Sequence, residues 1–224
     1  MKIVAIADTH GKQFYNLIPE CDLLLIGGDI SPRKHNFVYQ KYWFENIFLL
    51  ELEKCKAKKI VFIAGNHDVY LFESFMKQRE NAIHDSLPDN VYYLRDNTIQ
   101  FSFNGKKLLI YGLPWTVKRK FVFGCFKWDE NEVYPNPYIG IQSGVDIVLS
   151  HGPVFGKCDF FDSKNLGSEL FLHEILKNKP KYVISGHIHD ADHSCQKIHD
   201  TNLFCASILD CDNQYRYNPL ILEI

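Results

Sequence analysis

Five short apolar runs punctuate the chain, at residues 2–7, 22–27, 60–64, 145–150 and 181–185. They are continuous rather than alternating, which predicts strands covered on both faces. Between them lie helical patterns. Residues 37–55 carry Trp43, Phe44, Ile47, Phe48 and Leu52 at helical spacing and close on Lys54, Lys56, Lys58 and Lys59. Cations of that kind suit a helix C-terminus. Residues 170–176 repeat the pattern through Phe171, Leu172, Ile175 and Leu176, with Ser168 as cap and Pro180 just beyond. A second kind of segment, at 91–94, 98–103 and 107–111, is β-rich and joined by short turns, and Asn104-Gly105 is a hairpin signal. Residues 203–207 and 220–224 also read as strands. The mixture predicts an α/β fold: a core of largely parallel strands, with hairpins extending it or forming a second sheet. Residues 114–144 lack periodicity and hold seven aromatics: Trp115, Phe121, Phe123, Phe126, Trp128, Tyr134 and Tyr138. A long loop of this kind is expected to wall a substrate cleft. With no repeat and no Gly/Ser linker, residues 1–224 read as one domain.

Composition narrows the class. Of 224 residues, 46% are hydrophobic and 23% charged, the balance of a globular chain rather than a disordered one. No apolar run approaches the roughly 20 residues that span a bilayer, so no membrane partner is expected. Asp8 and His10 cut short the apolar N-terminal run, leaving no signal-peptide core. Seven cysteines, odd in number and without a Cys-x-x-Cys pair, read as reduced, mostly buried thiols and a cytoplasmic location. A net charge of −2 argues against extended nucleic acid as a partner. The basic aromatic stretch 118–123 accordingly reads as a loop beside the site rather than a nucleic-acid strip.

The chemistry sits at the ends of the five runs. They lead into Asp8-Thr9-His10, Gly28-Asp29, Gly65-Asn66-His67-Asp68, His151-Gly152-Pro153 and Gly186-His187-Ile188-His189. Ligands in parallel α/β sheets bind beyond the carboxyl ends of the strands, so these residues are expected along one sheet edge. Imidazole and carboxylate together suit Mn, Fe, Zn or Ni; the lack of cysteine argues against a structural zinc site. Seven donors exceed the need of one tetrahedral ion and suit two ions about 3.5–4 Å apart.

These motifs, in this order from Asp8 to His189, resemble the calcineurin-like metallophosphoesterases. Gly-Leu-Pro-Trp at 112–115 resembles the metallophosphoesterase-domain-containing subgroup, akin to class III cyclic-nucleotide phosphodiesterases. The resemblance implies two β-sheets in a sandwich flanked by helices, with a dinuclear metal centre at its edge. It implies Asp8, His10, Asp29 and His189 on one ion and Asp29, Asn66, His151 and His187 on the other, Asp29 bridging. It makes His67 the residue that faces the leaving group, oriented by Asp68. The implied cofactors are two divalent metal ions, manganese foremost. The expected reaction is phosphoester hydrolysis by in-line attack of a metal-bridging hydroxide, with His67 protonating the departing alkoxide.

One departure bears on substrate. The protein phosphatases of this superfamily carry Gly-Asp-x-x-Asp-Arg-Gly; here Gly28-Asp29 is followed by Ile30-Ser31-Pro32-Arg33-Lys34, so only Arg33 matches. Arg33 is the candidate substrate-binding residue. With so little added positive charge, a small phosphodiester such as a cyclic nucleotide is expected over a phosphoprotein. The alternatives are a phosphomonoesterase or nuclease on the same site and a non-catalytic binding scaffold. A scaffold would show broken ligands, and each motif is intact. His35, His84, His173, His193 and His199 read as ordinary histidines, His193 lying close enough to approach the site.

Overall fold

A computed structural model of the chain describes residues 1–118, 124–129 and 136–224. Two sheets stack face to face. The first runs, in lateral order, Leu220–Glu223, Lys2–Ile6, Cys21–Ile26, Ala57–Phe62 and Val91–Tyr93. All its neighbours are parallel except the Leu220–Glu223 edge. The second runs Gln196–Ile198, Thr201–Cys205, Tyr182–Ser185, Ile147–Ser150, Lys106–Leu113 and Asn97–Phe103. Its middle four strands are parallel and its two edges antiparallel.

Burial on both faces explains the unbroken apolar runs. In the first strand Ile3 and Ala5 fill the space between the sheets, while Val4 and Ile6 face an outer helical layer. In the second sheet Ile147, Leu149 and Ile184 point inward, and Val148 and Val183 lie beneath Phe171 and Ile175. The outcome is helix, sheet, sheet, helix. One expectation changes here. The five runs end on two sheets rather than one: the first three belong to the first sheet and the last two to the second. Their ends still meet, because the sheets stack with their parallel strands pointing to a common edge.

The outer layer of the first sheet is Phe37–Trp43, a π-geometry turn at Phe44–Phe48, and Leu49–Lys54. Asn36 caps it, its side chain accepting from the Tyr39 amide at 2.9 Å. Trp43, Phe44, Phe48 and Leu52 bury against the sheet. Gln40, fully buried, donates to the carbonyls of Pro32 at 3.0 Å and His67 at 2.9 Å and accepts from the Tyr70 amide at 3.1 Å. The helix thereby ties two site loops together. The Glu169–Asn178 helix follows the sequence reading: Ser168 Oγ accepts from the Phe171 amide at 3.0 Å, and left-handed Lys179 ends it. Helices Val69–Met76 and Glu80–Ser86 and the strand Gln196–Ile198 are additions to that reading.

The 114–144 segment departs most. Trp115 and Phe126 turn inward onto Phe72 and Phe75, with ring centroids 5.1–6.4 Å apart. Trp128 meets Tyr138, which stacks on Phe171 at 5.1 Å. These aromatics are core: Trp115 and Phe126 lie against the Val69–Met76 helix, and Trp128 and Tyr138 against the Glu169–Asn178 helix. Phe121, Phe123, Tyr134 and all of the 118–123 stretch except Lys118 lie outside the described residues. All seven cysteines are free thiols, four of them buried. Among the described residues no helix is long and apolar enough to cross a membrane.

Candidate metal centre

The strand ends deliver their donors through tight left-handed turns. Asp8, His10, Asp29 and His187 have φ of 57°, 46°, 49° and 71°. Non-glycine residues adopt such angles rarely, and clusters of them mark sites where geometry is held against local preference. Two glycines make room. A Cβ on Gly65 would lie 2.3 Å from Asp29 Oδ1, and one on Gly186 would lie 2.4 Å from Asp8 Oδ2.

Five of the seven expected metal donors form two overlapping groups. Asp8, His10 and His189 bring ligand atoms within 4.8 Å of one another, and so do Asp8, Asp29 and His151. The two groups meet at the carboxylates: Asp29 Oδ2 lies 3.8 Å from His10 Nε2 and 3.4 Å from His151 Nε2. Asn66 Oδ1 lies 3.1 Å from His151 Nε2. His187 packs edge-on against His151, with centroids 5.1 Å apart, and lines the adjoining cleft. Asp8 belongs to both groups and so shares the central position with Asp29.

Backbone carbonyls fix the ring tautomers. His151 Nδ1 donates to Gly27 O at 2.9 Å and His189 Nδ1 to Asp210 O at 2.8 Å. In the neutral form each ring then presents an Nε2 lone pair to the centre. Those lone pairs face oxygens or one another: His10 Nε2 and His189 Nε2 are 3.2 Å apart. The side-chain amide nitrogen of Asn66 is buried without a hydrogen-bond partner among the described residues. Two carboxylates 0% and 2% exposed, ringed by converging lone pairs, fit divalent cations and little else.

Electrostatics give the same result. Burial alone would depress His151, but Asp29 and Asp8 outweigh it and push its pKa up to about 9. Burial would raise Asp8 and Asp29, yet the surrounding imidazoles hold both well below the usual carboxylate range. His187 falls to about 3, from burial and the neighbouring His151. His10 also falls to about 3, burial prevailing over the attraction of Asp29. In the cation-free protein a proton on His151 does part of the work a metal would do.

His67 lies beside the centre, its Nε2 3.9 Å from Asp29 Oδ2 and its amide donating to Asp29 Oδ1 at 2.7 Å. Burial, then Arg33 among its neighbours, lowers its pKa. The expected Asp68–His67 contact is corrected. The Asp68 carboxylate accepts instead from the amides of Gly65 at 2.7 Å, Ser31 at 2.8 Å and Ile30 at 3.3 Å. Its place beneath the loop, at 0% exposure, leaves it bracing the backbone. His67 Nδ1 pairs with His35 Nε2 at 2.6 Å, although the sequence reading took His35 as ordinary. His193 does approach, its Nε2 donating to His189 O at 2.8 Å.

A cleft opens over the centre, bounded by Asp29, Asn66, His67, His187 and His189 on its polar side. Exposed Arg33 reaches in, its guanidinium 3.2 Å from His10 Nε2. Lys127 stands on the wall with Val117, Phe161, Leu166 and Ile188. Val117 and Lys127 belong to the 114–144 segment expected to wall the cleft; Phe161 is an addition, and nothing in its local sequence marks it.

A two-sheet sandwich with Asp, His and Asn donors at its strand ends defines the metallophosphoesterase class of folds. The calcineurin-like phosphoesterase family model matches residues 1–191, and the chain belongs to that family. It is 28% identical over 259 residues to a UPF0046 protein of Caenorhabditis elegans, covering 100% of this chain and 60% of that protein. It is 25% identical over 244 residues to metallophosphoesterase domain-containing protein 1 of Homo sapiens, covering 100% of this chain and 71% of that protein. The chain therefore spans less than two thirds of the nematode relative. Phosphopantetheinyl hydrolase from Mycobacterium tuberculosis superposes with a TM-score of 0.61 at 13% identity, over 95% of this chain and 90% of that one, a likeness of fold.

Proposed function

We propose that the chain is a single-domain, cytoplasmic, dinuclear-metal phosphoesterase acting on a small phosphodiester. The observation that carries this reading is the position of Asp29 Oδ2, 3.8 Å from His10 Nε2 on one side and 3.4 Å from His151 Nε2 on the other. Asp8, His10, Asp29 and His189 would hold one cation, and Asp29, Asn66, His151 and His187 the other. Two divalent ions there, manganese foremost, would supply the charge that brings the pKa of water toward neutrality and offsets the phosphoryl oxygens. The seven unpaired thiols support a reducing compartment.

The protein's own groups do the rest. His67, with Nε2 turned to the centre, donates the proton a leaving alkoxide needs. Arg33 and Lys127 meet the phosphate from the cleft walls. The single charge of a diester asks for less added positive charge than the near dianion of a monoester, and the cleft lining offers Arg33 and Lys127 for it. Phe161, Leu166, Val117 and Ile188 give the diester's second substituent an apolar surface.

The test compares kcat/KM for bis-nitrophenyl phosphate and nitrophenyl phosphate under one metal condition, alongside the manganese content. About two ions per chain and a preference for the diester are expected. A tenfold preference for the monoester overturns the substrate class, and one ion per chain at full turnover overturns the dinuclear centre.

A further inference from the structure

The ring of His67 has a partner that the motif reading did not provide. His35 Nε2 and His67 Nδ1 are 2.6 Å apart, while the ring centroids are 4.9 Å apart and the planes differ by 12°. Rings stacked face to face cannot bring two nitrogens that close. The pair is coplanar and head-on, with one N–H donating to the other ring's lone pair.

Which ring donates is decided at the opposite nitrogen. His67 Nε2 faces Asp29 Oδ2 at 3.9 Å. If His67 carried its proton on Nδ1, the Nε2 lone pair would point at that carboxylate and at any phosphoryl oxygen in the cleft. With the proton on Nε2, the N–H points there instead, and Nδ1 accepts from His35. Both arrangements keep the hydrogen bond between the rings; the second also removes the repulsion.

We propose that His35 is a positioning residue that donates to His67 Nδ1 and so holds the resting, neutral His67 as the Nε2–H tautomer, that N–H turned toward the leaving group. A proton taken up from solvent makes the ring an imidazolium before the Nε2 proton passes to the alkoxide, which returns the neutral ring. This rests on the phosphoesterase reading for its consequence, though not for its geometry. The loop that carries His35 is itself held. Asp68 accepts from the Ile30 and Ser31 amides, Gln40 donates to Pro32 O, and Asn36 caps the following helix. Asp68 thus acts on His67 through the backbone of the 30–35 loop and the imidazole of His35, rather than by direct contact.

The test uses the full chain loaded with diamagnetic zinc and labelled with ¹⁵N-histidine. Long-range ¹H–¹⁵N spectra report the tautomer of His67 in wild type, His35→Phe and His35→Gln. Wild type should show a protonated Nε2 and an unprotonated Nδ1. His35→Phe keeps a ring without the donor and should give a tautomer mixture; His35→Gln keeps an amide N–H and should restore the wild-type spectrum. On adenosine 3′,5′-cyclic phosphate, His35→Phe should lower kcat about tenfold with KM within about twofold, and His35→Gln should recover most of the loss. A His67 proton on Nδ1 in wild type, or a spectrum unmoved by His35→Phe, overturns the proposal. The expected spectra in a protein that turns over no ester would support the pair and overturn the phosphoesterase reading, so the two failures are separate.

Discussion

In the proposed mechanism Asp29 and His67 divide the chemistry between charge and proton. Asp29 sits where two groups of donors meet, and His67 stands beside it, its Nε2 3.9 Å from Asp29 Oδ2 but in neither donor group. A general acid matters most when the leaving group is poor. His67→Gln should therefore lower kcat about 10²–10⁴-fold on a ribosyl ester and far less on bis-nitrophenyl phosphate, whose phenolate leaves unaided. Rates on the two esters under one metal condition check this; equal losses would make His67 a positioning group. At this scale the metal donors were legible because each follows an apolar run within a few residues. His35 and Phe161 were not. They reach the cleft from loops whose course depends on distant contacts, such as Gln40 with Pro32.

At the scale of elements, the strand-to-loop turns are the sensitive parts. Gly186 ends the Tyr182–Ser185 strand directly over Asp8, and an added Cβ would lie 2.4 Å from Asp8 Oδ2 and 2.6 Å from the Ala7 side chain. Gly186→Ala should cost about 1–3 kcal/mol of stability and weaken metal binding, because Asp8 must move. Gly105, in the Asn104-Gly105 hairpin turn, has nothing within 4 Å of its would-be Cβ. Gly105→Ala should leave metal binding unchanged, its cost confined to the positive φ. Metal titrations and melting curves of both variants separate a site effect from a fold effect.

Trp115 anchors its segment by donating from Nε1 to both oxygens of Asp96, at 2.8 and 3.0 Å. Burial pushes Asp96 up to about 6, against the pull of Trp115 and Arg95. A carboxyl raised on folding contributes its stability fully below pH about 4 and loses it as pH climbs through about 6. Asp96→Asn keeps an acceptor for Trp115 and removes the titration. Relative to wild type the variant should gain about 1–2 kcal/mol between pH 4 and 7, the figure discounted because the Asp96 side chain is 26% exposed. Urea unfolding across that range is the measurement, and a pH-independent difference would contradict it. The hairpin turn and the Ser168-capped helix were legible as elements, since their signals are local. The inward turn of Trp115 and Phe126 was not, because it depends on the Val69–Met76 helix beneath them.

At the scale of the whole molecule, two sheets hold opposite halves of one charged centre. Asp8, Asp29 and Asn66 come from the first, His151, His187 and His189 from the second. A cation bound there bridges the sandwich and should stabilise it globally. Ligand at 100 times its Kd adds about 2.7 kcal/mol per site. Removing metal with a chelator should therefore lower the melting temperature by several degrees, and manganese should restore it. A melting temperature indifferent to chelator would place the donors outside any tight metal site.

The sequence by itself determined what neighbours in the chain can decide. Continuous apolar runs give strands covered on both faces; a Ser cap and a following proline bound a helix; ordered Asp, Asn and His motifs after those runs give the metal-ligating chemistry and the family. Tertiary structure alone decided how these pieces share space. It put the five runs on two sheets rather than one, turned Trp115, Phe126, Trp128 and Tyr138 into core, and moved Asp68 from the His67 ring to the amides beneath it. It also brought His35 onto His67 across 32 positions of chain. Hydropathy and capping act over one turn or one strand and are written locally. The side of a cleft that a loop faces, and the ring that another ring meets, depend on which distant surfaces bury together, and no local pattern encodes that.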